Sequence, residues 1–228
     1  MGIYDQLWAE AEAAFAGAGP RVDTHLADRA GDQRRGVSLI FCPPLAVQAS
    51  IKDFLDPLAE AFPGQHFYAP AEFHVTVLTP ISGTDRWRRE MRELRVFREI
   101  LRAALRGRPA FGVEFRGVTA APNAVMVQGF PRDGALERIR DGLRRAFAER
   151  GLGDRLDRRY RNAAAHITVM RFGRAGLDGR RLLTRLAANR AREFGSMQVD
   201  TLQLVWSDWY ASAKALRVLE EFPLAAPA

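Results

Sequence analysis

The sequence predicts an α+β fold built on antiparallel sheet. Amphipathic helices and β-branched runs follow one another without the strict strand-helix-strand repetition of a parallel sheet. Two of the runs, residues 111–119 and 124–130, flank Ala121-Pro122-Asn123, whose residue types favour a hairpin turn. A strand pattern containing His-x-Thr also occurs twice, with the second copy 92 residues after the first. Each copy therefore has helices and strands of its own, which indicates two similar lobes.

Length and composition are those of an ordinary globular protein. The chain has 228 residues, 47% of them hydrophobic and 27% charged, which fits one large domain or two closely packed lobes. It has no run of about 18 apolar residues and no N-terminal positive region followed by an apolar one. We therefore expect a monomeric, cytoplasmic protein with no membrane partner.

The net charge of +7 is carried by arginine, since only two of the 34 basic residues are lysine. An arginine bias suits phosphate or nucleic-acid ligands. Solvated helix faces in an arginine-rich proteome explain the same bias equally well. The charge alone therefore does not choose a partner.

Residues 1–35 are predicted to be an N-terminal amphipathic helix and linker, and residues 36–228 the main domain. Apolar side chains recur at helical spacing over the first 17 residues, and Gly19-Pro20 ends the pattern. The polar stretch that follows contains Gly31-Asp32-Gln33-Arg34-Arg35, a composition typical of a linker.

The first half of the main domain is predicted to alternate strand and helix. The first strand is β-branched and aromatic and ends at Pro43-Pro44, because proline cannot donate to a sheet. It includes Cys42, the single cysteine, which is expected to be buried as a small hydrophobe. Pro80 is expected to end the second strand for the same reason. The order is strand 36–42, helix 46–62, strand 73–79 and helix 86–105.

The second half begins with the hairpin and continues with helices and strands. Apolar residues at helical spacing predict two helices, and alternation of apolar and polar residues predicts three strands. Ser207-Asp208 is expected to turn the chain before the closing strand. The order is helix 134–150, strand 164–172, helix 177–194, strand 197–206 and strand 216–222.

The repeated pattern is His74-Val75-Thr76-Val77 in the first copy and His166-Ile167-Thr168-Val169 in the second. Because side chains alternate across a strand, the histidine and threonine of each copy share one face while their apolar neighbours face the core. An imidazole and a hydroxyl then lie about 7 Å apart along each strand.

Two such strands suit acid-base chemistry on a phosphoryl group. An imidazole titrates near neutrality, so one can act as base and the other as acid within a single turnover. The threonine hydroxyls can donate hydrogen bonds to oxygens that gain negative charge between the strands. A single His-x-Thr copy would favour a structural histidine, and the second copy with matched flanks reverses that preference.

Other chemistries lack their sequence patterns. The His-bearing face of neither copy has a nearby Cys, Asp or Glu, so metal binding is not expected. The chain contains no Gly-x-Ser-x-Gly, which a nucleophile elbow would need. It contains neither Gly-x-x-x-x-Gly-Lys nor Gly-x-Gly-x-x-Gly, the usual phosphate-cradling loops.

The paired signatures resemble those of the two-histidine (2H) phosphoesterase superfamily, which includes bacterial 2′-5′ RNA ligase-like and cyclic phosphodiesterase proteins. The resemblance covers residues 36 to 222. It implies a bilobal fold, with two pseudo-symmetric lobes of antiparallel sheet, helices on the outer faces and a central cleft. The implied reaction is the opening of a 2′,3′-cyclic phosphate on an RNA end or small nucleotide, without metal or cofactor. The implied catalytic residues are His74, Thr76, His166 and Thr168.

Three further kinds of residue are candidates for the site. Family members often carry a basic residue after the second signature, but strict alternation places Arg171 opposite His166, so a structural ion pair is expected unless a bulge intervenes. Tyr68, Tyr160 and Tyr210 could stack on a base, and Tyr210 is the candidate substrate-binding residue. His66 is expected to be solvated in a loop.

Two other functions compete with the phosphodiesterase. One is an RNA-end binding or 2′-5′ RNA-ligating protein with little hydrolytic turnover. The other is a lipid-surface or scaffolding role for residues 1–35. Hydrolysis of a cyclic nucleotide in EDTA would favour the enzyme, and vesicle binding that is lost on deletion of residues 1–35 would favour the last alternative.

Overall fold

The computed structural model describes residues 2–156 and 163–226 of the chain. Six α-helices are described within these ranges: α1 (Ile3–Ala16), α2 (Leu45–Ala61), α3 (Trp87–Glu90), α4 (Leu94–Leu105), α5 (Ala135–Glu149) and α6 (Gly179–Ala187). The strands of the same ranges are β1 (Arg35–Phe41), β2 (His66–Phe67), β3 (Val75–Thr84), β4 (Phe111–Ala121), β5 (Ala124–Pro131), β6 (Ala165–Arg171), β7 (Glu193–Val199), β8 (Thr201–Asp208) and β9 (Arg217–Pro223).

The strands form one strongly curled antiparallel sheet, a half-barrel. Their order is β7-β4-β5-β6-β3-β1-β8-β9, with β2 paired to β6 outside this path. Four strands lie on each side of the junction between β6 and β3, and these two central strands carry the repeated signatures. The predicted α+β class with antiparallel strands is confirmed. The two groups of strands are halves of one continuous sheet.

Helices cover one face of the sheet and complete the core. Ile51, Phe54 and Leu58 of α2 are buried, and α2 packs on β7. Helices α4 and α5 pack on each other, with the rings of Phe97 and Phe147 centred 5.6 Å apart. Many apolar side chains of the sheet therefore point toward these helices, and the opposite, concave face carries polar side chains from both halves together with apolar ones such as Ile40 and Met126.

Residues before β1 pack on the main domain. Helix α1 lies against β4 and α6, and Tyr4 and Ala11 are buried there. The rings of Phe15 and Phe172 are in edge contact, 5.7 Å apart. The apolar side chains that made α1 a candidate for lipid contact are therefore partly used inside the protein.

Several predicted boundaries were wrong for identifiable reasons. Strand β3 continues through Pro80 to Thr84, because a register shift there removes the need for an amide donor. The predicted strand 197–206 is two strands, β7 and β8, which are separated at Asp200 and lie in opposite halves of the sheet. Cys42 is exposed, because β1 ends at Phe41 and the chain leaves the sheet.

Among the described residues, no helix has the length and apolar character needed to cross a membrane.

Candidate active site

The register of the two central strands brings the signatures side by side. Val75 of β3 pairs with Ile167 of β6 in an antiparallel arrangement. His74 is therefore opposite Thr168, and Thr76 is opposite His166. Directly opposed residues have Cβ atoms about 5 Å apart. The four side chains form the corners of a rectangle, with the two histidines on one diagonal and the two threonines on the other.

All four side chains line a cavity of about 700 Å³ on the concave face of the sheet. Their apolar neighbours, Val75 and Ile167, are 0% exposed and face the helices. The cavity receives polar side chains from both halves of the sheet, including Ser38, Thr79, Arg171, Ser207 and Asp208. The predicted catalytic residues thus share one solvent-accessible site.

His74 is oriented by its own backbone neighbourhood. Its Nδ1 lies 2.8 Å from the carbonyl oxygen of Glu72, so Nδ1–H donates to that carbonyl. This hydrogen bond leaves Nε2 as the nitrogen available to a ligand. Burial lowers the pKa of His74 below its ordinary value near 6.5, and the bond to Glu72 partly opposes that decrease.

His166 is also biased toward its neutral form. Burial, with smaller effects from the charges of Arg140, His74 and Arg171, lowers its pKa to about 4. Its Nδ1 is buried with no hydrogen-bond partner among the described residues. An imidazolium has two N–H donors, so an unpartnered buried nitrogen makes the charged form costly. The two histidines, equivalent in sequence, therefore differ in the hydrogen bonding of Nδ1.

A β-bulge in each central strand adds another side chain to the site. Met126 pairs with Thr168 but Val125 pairs with Met170, so β6 contains one extra residue. In the same way Ile40 pairs with Thr76 and Leu39 with Leu78 in β3. Each bulge reverses the alternation that follows it.

The bulges place Arg171 and Thr79 on the cavity face, each three positions after a signature threonine. The prediction that Arg171 faces away from His166 was wrong. Its Nε donates to the hydroxyl oxygen of Tyr68, 2.8 Å away. Tyr68 is only 5% exposed, so it holds the guanidinium in place and has no open ring face for a base.

Tyr210 lines the cavity but is 3% exposed. Its hydroxyl donates to Asp23 at 3.1 Å, and the guanidinium of Arg29 lies over its ring, 4.8 Å from the centroid. These contacts fit a supporting role better than stacking on a base. Tyr160, the third candidate, lies outside the described residues. His66 packs edge-on against the rings of Tyr68 and Tyr210, and burial lowers its pKa, so it is not the solvated loop residue that was expected.

Ser38 and Asp208 of the cavity were not selected from sequence. Ser38 alternates with buried Val37 and Leu39, a signal that would have placed it on the face of the signature residues. Its Oγ lies 3.3 Å from the hydroxyl of Thr79. Asp208 accepts hydrogen bonds from the backbone of Tyr210 and Ser212, so it caps the turn after β8.

A buried arginine holds the two central strands where they separate. Arg140 of α5 is 1% exposed. Its Nε donates to the carbonyl of Val77 at 3.1 Å, and its Nη2 donates to the carbonyls of Thr76 at 2.8 Å and Ala164 at 3.0 Å. One guanidinium therefore satisfies carbonyls of β3 and of the residue before β6, and so fixes the distance between the signatures.

Replacing Arg140 with methionine is expected to lower the free energy of unfolding by about 3 kcal/mol or more, because three carbonyls lose their donor at about 1–3 kcal/mol each when left buried. Urea denaturation followed by circular dichroism measures this. Arg145→Met on the exposed side of the same helix is the control and should change stability by less than about 0.5 kcal/mol. Equal stability of the two variants would contradict the bridging role.

Among the described residues, no group of three or more His, Cys, Asp or Glu side chains converges as a metal site would require.

Comparison with known proteins places this site in a family. A model of the 2'-5' RNA ligase superfamily matches residues 43–210. The fold is similar to that of TT0787 from Thermus thermophilus, with a TM-score of 0.61, 20% identity and coverage of 86% of this chain and 100% of that one. E. coli LigT complexed with NADP+ aligns with a TM-score of 0.56, 16% identity and coverage of 84% and 98%.

E. coli LigT complexed with 3'-AMP gives a TM-score of 0.55 at 15% identity, over 84% of this chain and 98% of that one. Among curated proteins, no sequence matches the chain significantly. The family match spans well over half of the chain and includes both His-x-Thr strands. The chain belongs to the 2'-5' RNA ligase superfamily, the 2H phosphoesterases.

Proposed function

We propose that this protein is a metal-independent phosphodiesterase that opens 2′,3′-cyclic phosphates on RNA ends or small nucleotides. The observation that carries the proposal is the pairing of Val75 with Ile167, which sets two imidazoles and two hydroxyls around one point of the cavity. A phosphoryl group has negatively charged oxygens for the hydroxyl donors and two reacting oxygens for the imidazoles. The diagonal arrangement offers each kind of oxygen its partner.

In the proposed reaction, a water molecule attacks phosphorus while one ribose oxygen leaves. One histidine removes the proton from the water, and the other gives a proton to the ribose oxygen as its bond to phosphorus breaks. Thr76 and Thr168 donate to the oxygens that do not react, and the guanidinium of Arg171 adds positive charge on the same face. The product is a phosphate monoester, and the histidines have exchanged protonation states.

The surroundings of the two histidines support different roles for them. His74 keeps its hydrogen bond to Glu72 when protonated, so it is the proton donor. The pKa of His166 is lowered to about 4, so it is neutral in the free protein and acts as the proton acceptor. The two proton transfers require one histidine that holds a proton and one that accepts a proton, and these different surroundings fit that requirement.

We expect kcat/KM for a cyclic phosphate to be greatest below pH 6.5. The free enzyme is productive when one imidazole is charged and the other neutral, and burial lowers the pKa of both. The rate should therefore fall about tenfold per pH unit above the higher of the two values. Initial rates measured at low substrate concentration from pH 4 to 9 test this, and a plateau through pH 8 would contradict the assignment.

The test of the function is incubation of the protein with a 2′,3′-cyclic nucleotide in excess EDTA, with product separated by chromatography. Ring opening that persists in EDTA supports the proposal. Loss of turnover in EDTA, or no turnover of any cyclic phosphate, contradicts it. Tight binding without turnover would instead favour the alternative, an RNA-end binding or 2′-5′ RNA-ligating protein. That alternative rests on the same cavity and on the family's name.

A further inference from the structure

The segment before β1 is anchored at the edge of the cavity by buried hydrogen bonds. The hydroxyl of Tyr4 donates to the carbonyl of Gly129 at 2.8 Å and accepts from its amide at 3.1 Å. The hydroxyl of Thr119 donates to the carbonyl of Tyr4 at 3.0 Å. These contacts fix the first turn of α1 on β4 and β5, beside the second signature strand.

The polar stretch after α1 is anchored as well. The amide of Arg21 donates to the carbonyl of Pro122 at 2.7 Å, in the turn between β4 and β5. The amide of Asp23 donates to the carbonyl of Phe172 at 2.8 Å, just after β6, and its carboxylate accepts from Tyr210. The stretch predicted to be a linker therefore runs along the rim of the cavity.

This segment gives the cavity a wall that the sheet does not supply. Ile3, Leu7, Glu10 and Arg21 all line it. Ile3 is 40% exposed, and it is one of three large apolar side chains classed as exposed in the described residues. An apolar side chain that lies at the surface but faces a cavity is placed to contact a ligand.

The wall lies next to the phosphoryl position. Met126 of β5 pairs directly with Thr168, and it lines the cavity together with Ala124 and Asn123. On the other half of the sheet Ile40 has the matching position beside Thr76, and there the cavity continues to Ser207 and Asp208. The hydrogen bonds of Tyr4 to Gly129 of β5 and Thr119 of β4 place the neighbouring Ile3 and Leu7 on the β5 side of the cavity.

We propose that Ile3 and Leu7 of α1, with Met126 of β5, form a subsite for the nucleobase of the ligand whose phosphate lies between the two His-x-Thr pairs. A nucleobase has flat apolar faces and a polar edge. The apolar side chains match the faces, and Glu10, Arg21 and Asn123 provide acceptors and donors for the edge. The inference rests on the proposed function for the position of the phosphate.

Equilibrium binding tests the subsite without requiring turnover. The test is to measure the affinities for 3′-AMP and for inorganic phosphate by isothermal titration calorimetry. The proteins compared are the wild type, Leu7→Glu and Ala9→Glu. Ala9 is exposed on the same helix and does not line the cavity, so its variant controls for added charge. Leu7→Glu should weaken 3′-AMP binding about tenfold and leave phosphate binding within about twofold, because its new charge lies at the base and not at the phosphate.

Leu7→Ala, which adds no charge, should weaken 3′-AMP binding about threefold, and thermal melts of all variants identify any that fail to fold. The subsite is overturned if the wild type binds 3′-AMP no more tightly than phosphate. It is also overturned if Leu7→Glu weakens both ligands equally, or neither. A protein that binds 3′-AMP through Leu7 yet opens no cyclic phosphate would contradict the proposed hydrolysis and leave the subsite standing.

Discussion

Alanine at His74 or at His166 should lower the rate of cyclic-phosphate opening by roughly 10²- to 10⁴-fold, the usual contribution of a positioned acid or base. Both side chains line the same cavity, and their apolar neighbours are buried in the core. Neither variant should therefore unfold the protein. Single-turnover rates on a 2′,3′-cyclic nucleotide measure the effect, with thermal melts as the check on folding.

The two histidines should behave as one unit. The rate of the double variant should be reduced by a much smaller factor than the product of the two single reductions, because removing either proton-transfer group already disables the same step. His74→Ala should remove the alkaline limb of the pH profile, and His166→Ala should remove the acid limb. His25→Ala, which changes an exposed histidine outside the cavity lining, is the matched control and should keep most of the activity. Near-full activity of either His74→Ala or His166→Ala would contradict the mechanism in which the two histidines act as a pair.

Valine at Thr76 or at Thr168 should lower the rate by about 10- to 10³-fold, the upper end being the cost of one lost donor to a developing oxyanion. Valine has nearly the shape of threonine and suits a strand, so the change removes a hydroxyl with little change in packing. Serine at the same positions keeps the hydroxyl and should restore most of the rate. The difference in rate between the valine and serine variants distinguishes the effect of the hydrogen bond from that of side-chain shape.

Thr201→Val is the control for the threonine series. Thr201 begins β8 and does not line the cavity, so the variant should retain wild-type activity. If Thr76→Val and Thr168→Val also retain it, the hydroxyls do not contact the reacting group and the site must hold the phosphoryl group elsewhere.

Much of the secondary structure was predictable, and the misses share a cause. Helices α2, α5 and the β4–β5 hairpin appear within two residues of their predicted bounds, because each carries a clear apolar period and clear end signals. The predicted end of β3 at Pro80 was wrong, since a proline ends a strand only where the sheet needs an amide donor at that position. Arg171 was misplaced because alternation assumes a regular strand, and a bulge is set by pairing with neighbours that are distant in sequence.

The sequence by itself determined which side chains share a face of each signature strand, because a strand's period of two assigns His74, Thr76, His166 and Thr168 to faces without knowledge of the rest of the fold. Only the tertiary structure decided how they meet. The pairing of Val75 with Ile167 joins strands 92 residues apart, and Arg140 fixes their separation from a helix that belongs to neither signature. It also decided that residues before β1 line the cavity and that Nδ1 has a hydrogen-bond partner in His74 but not in His166 among the described residues. Burial, pairing and charge at a site depend on which distant segments pack around it, and local periodicity does not contain that information.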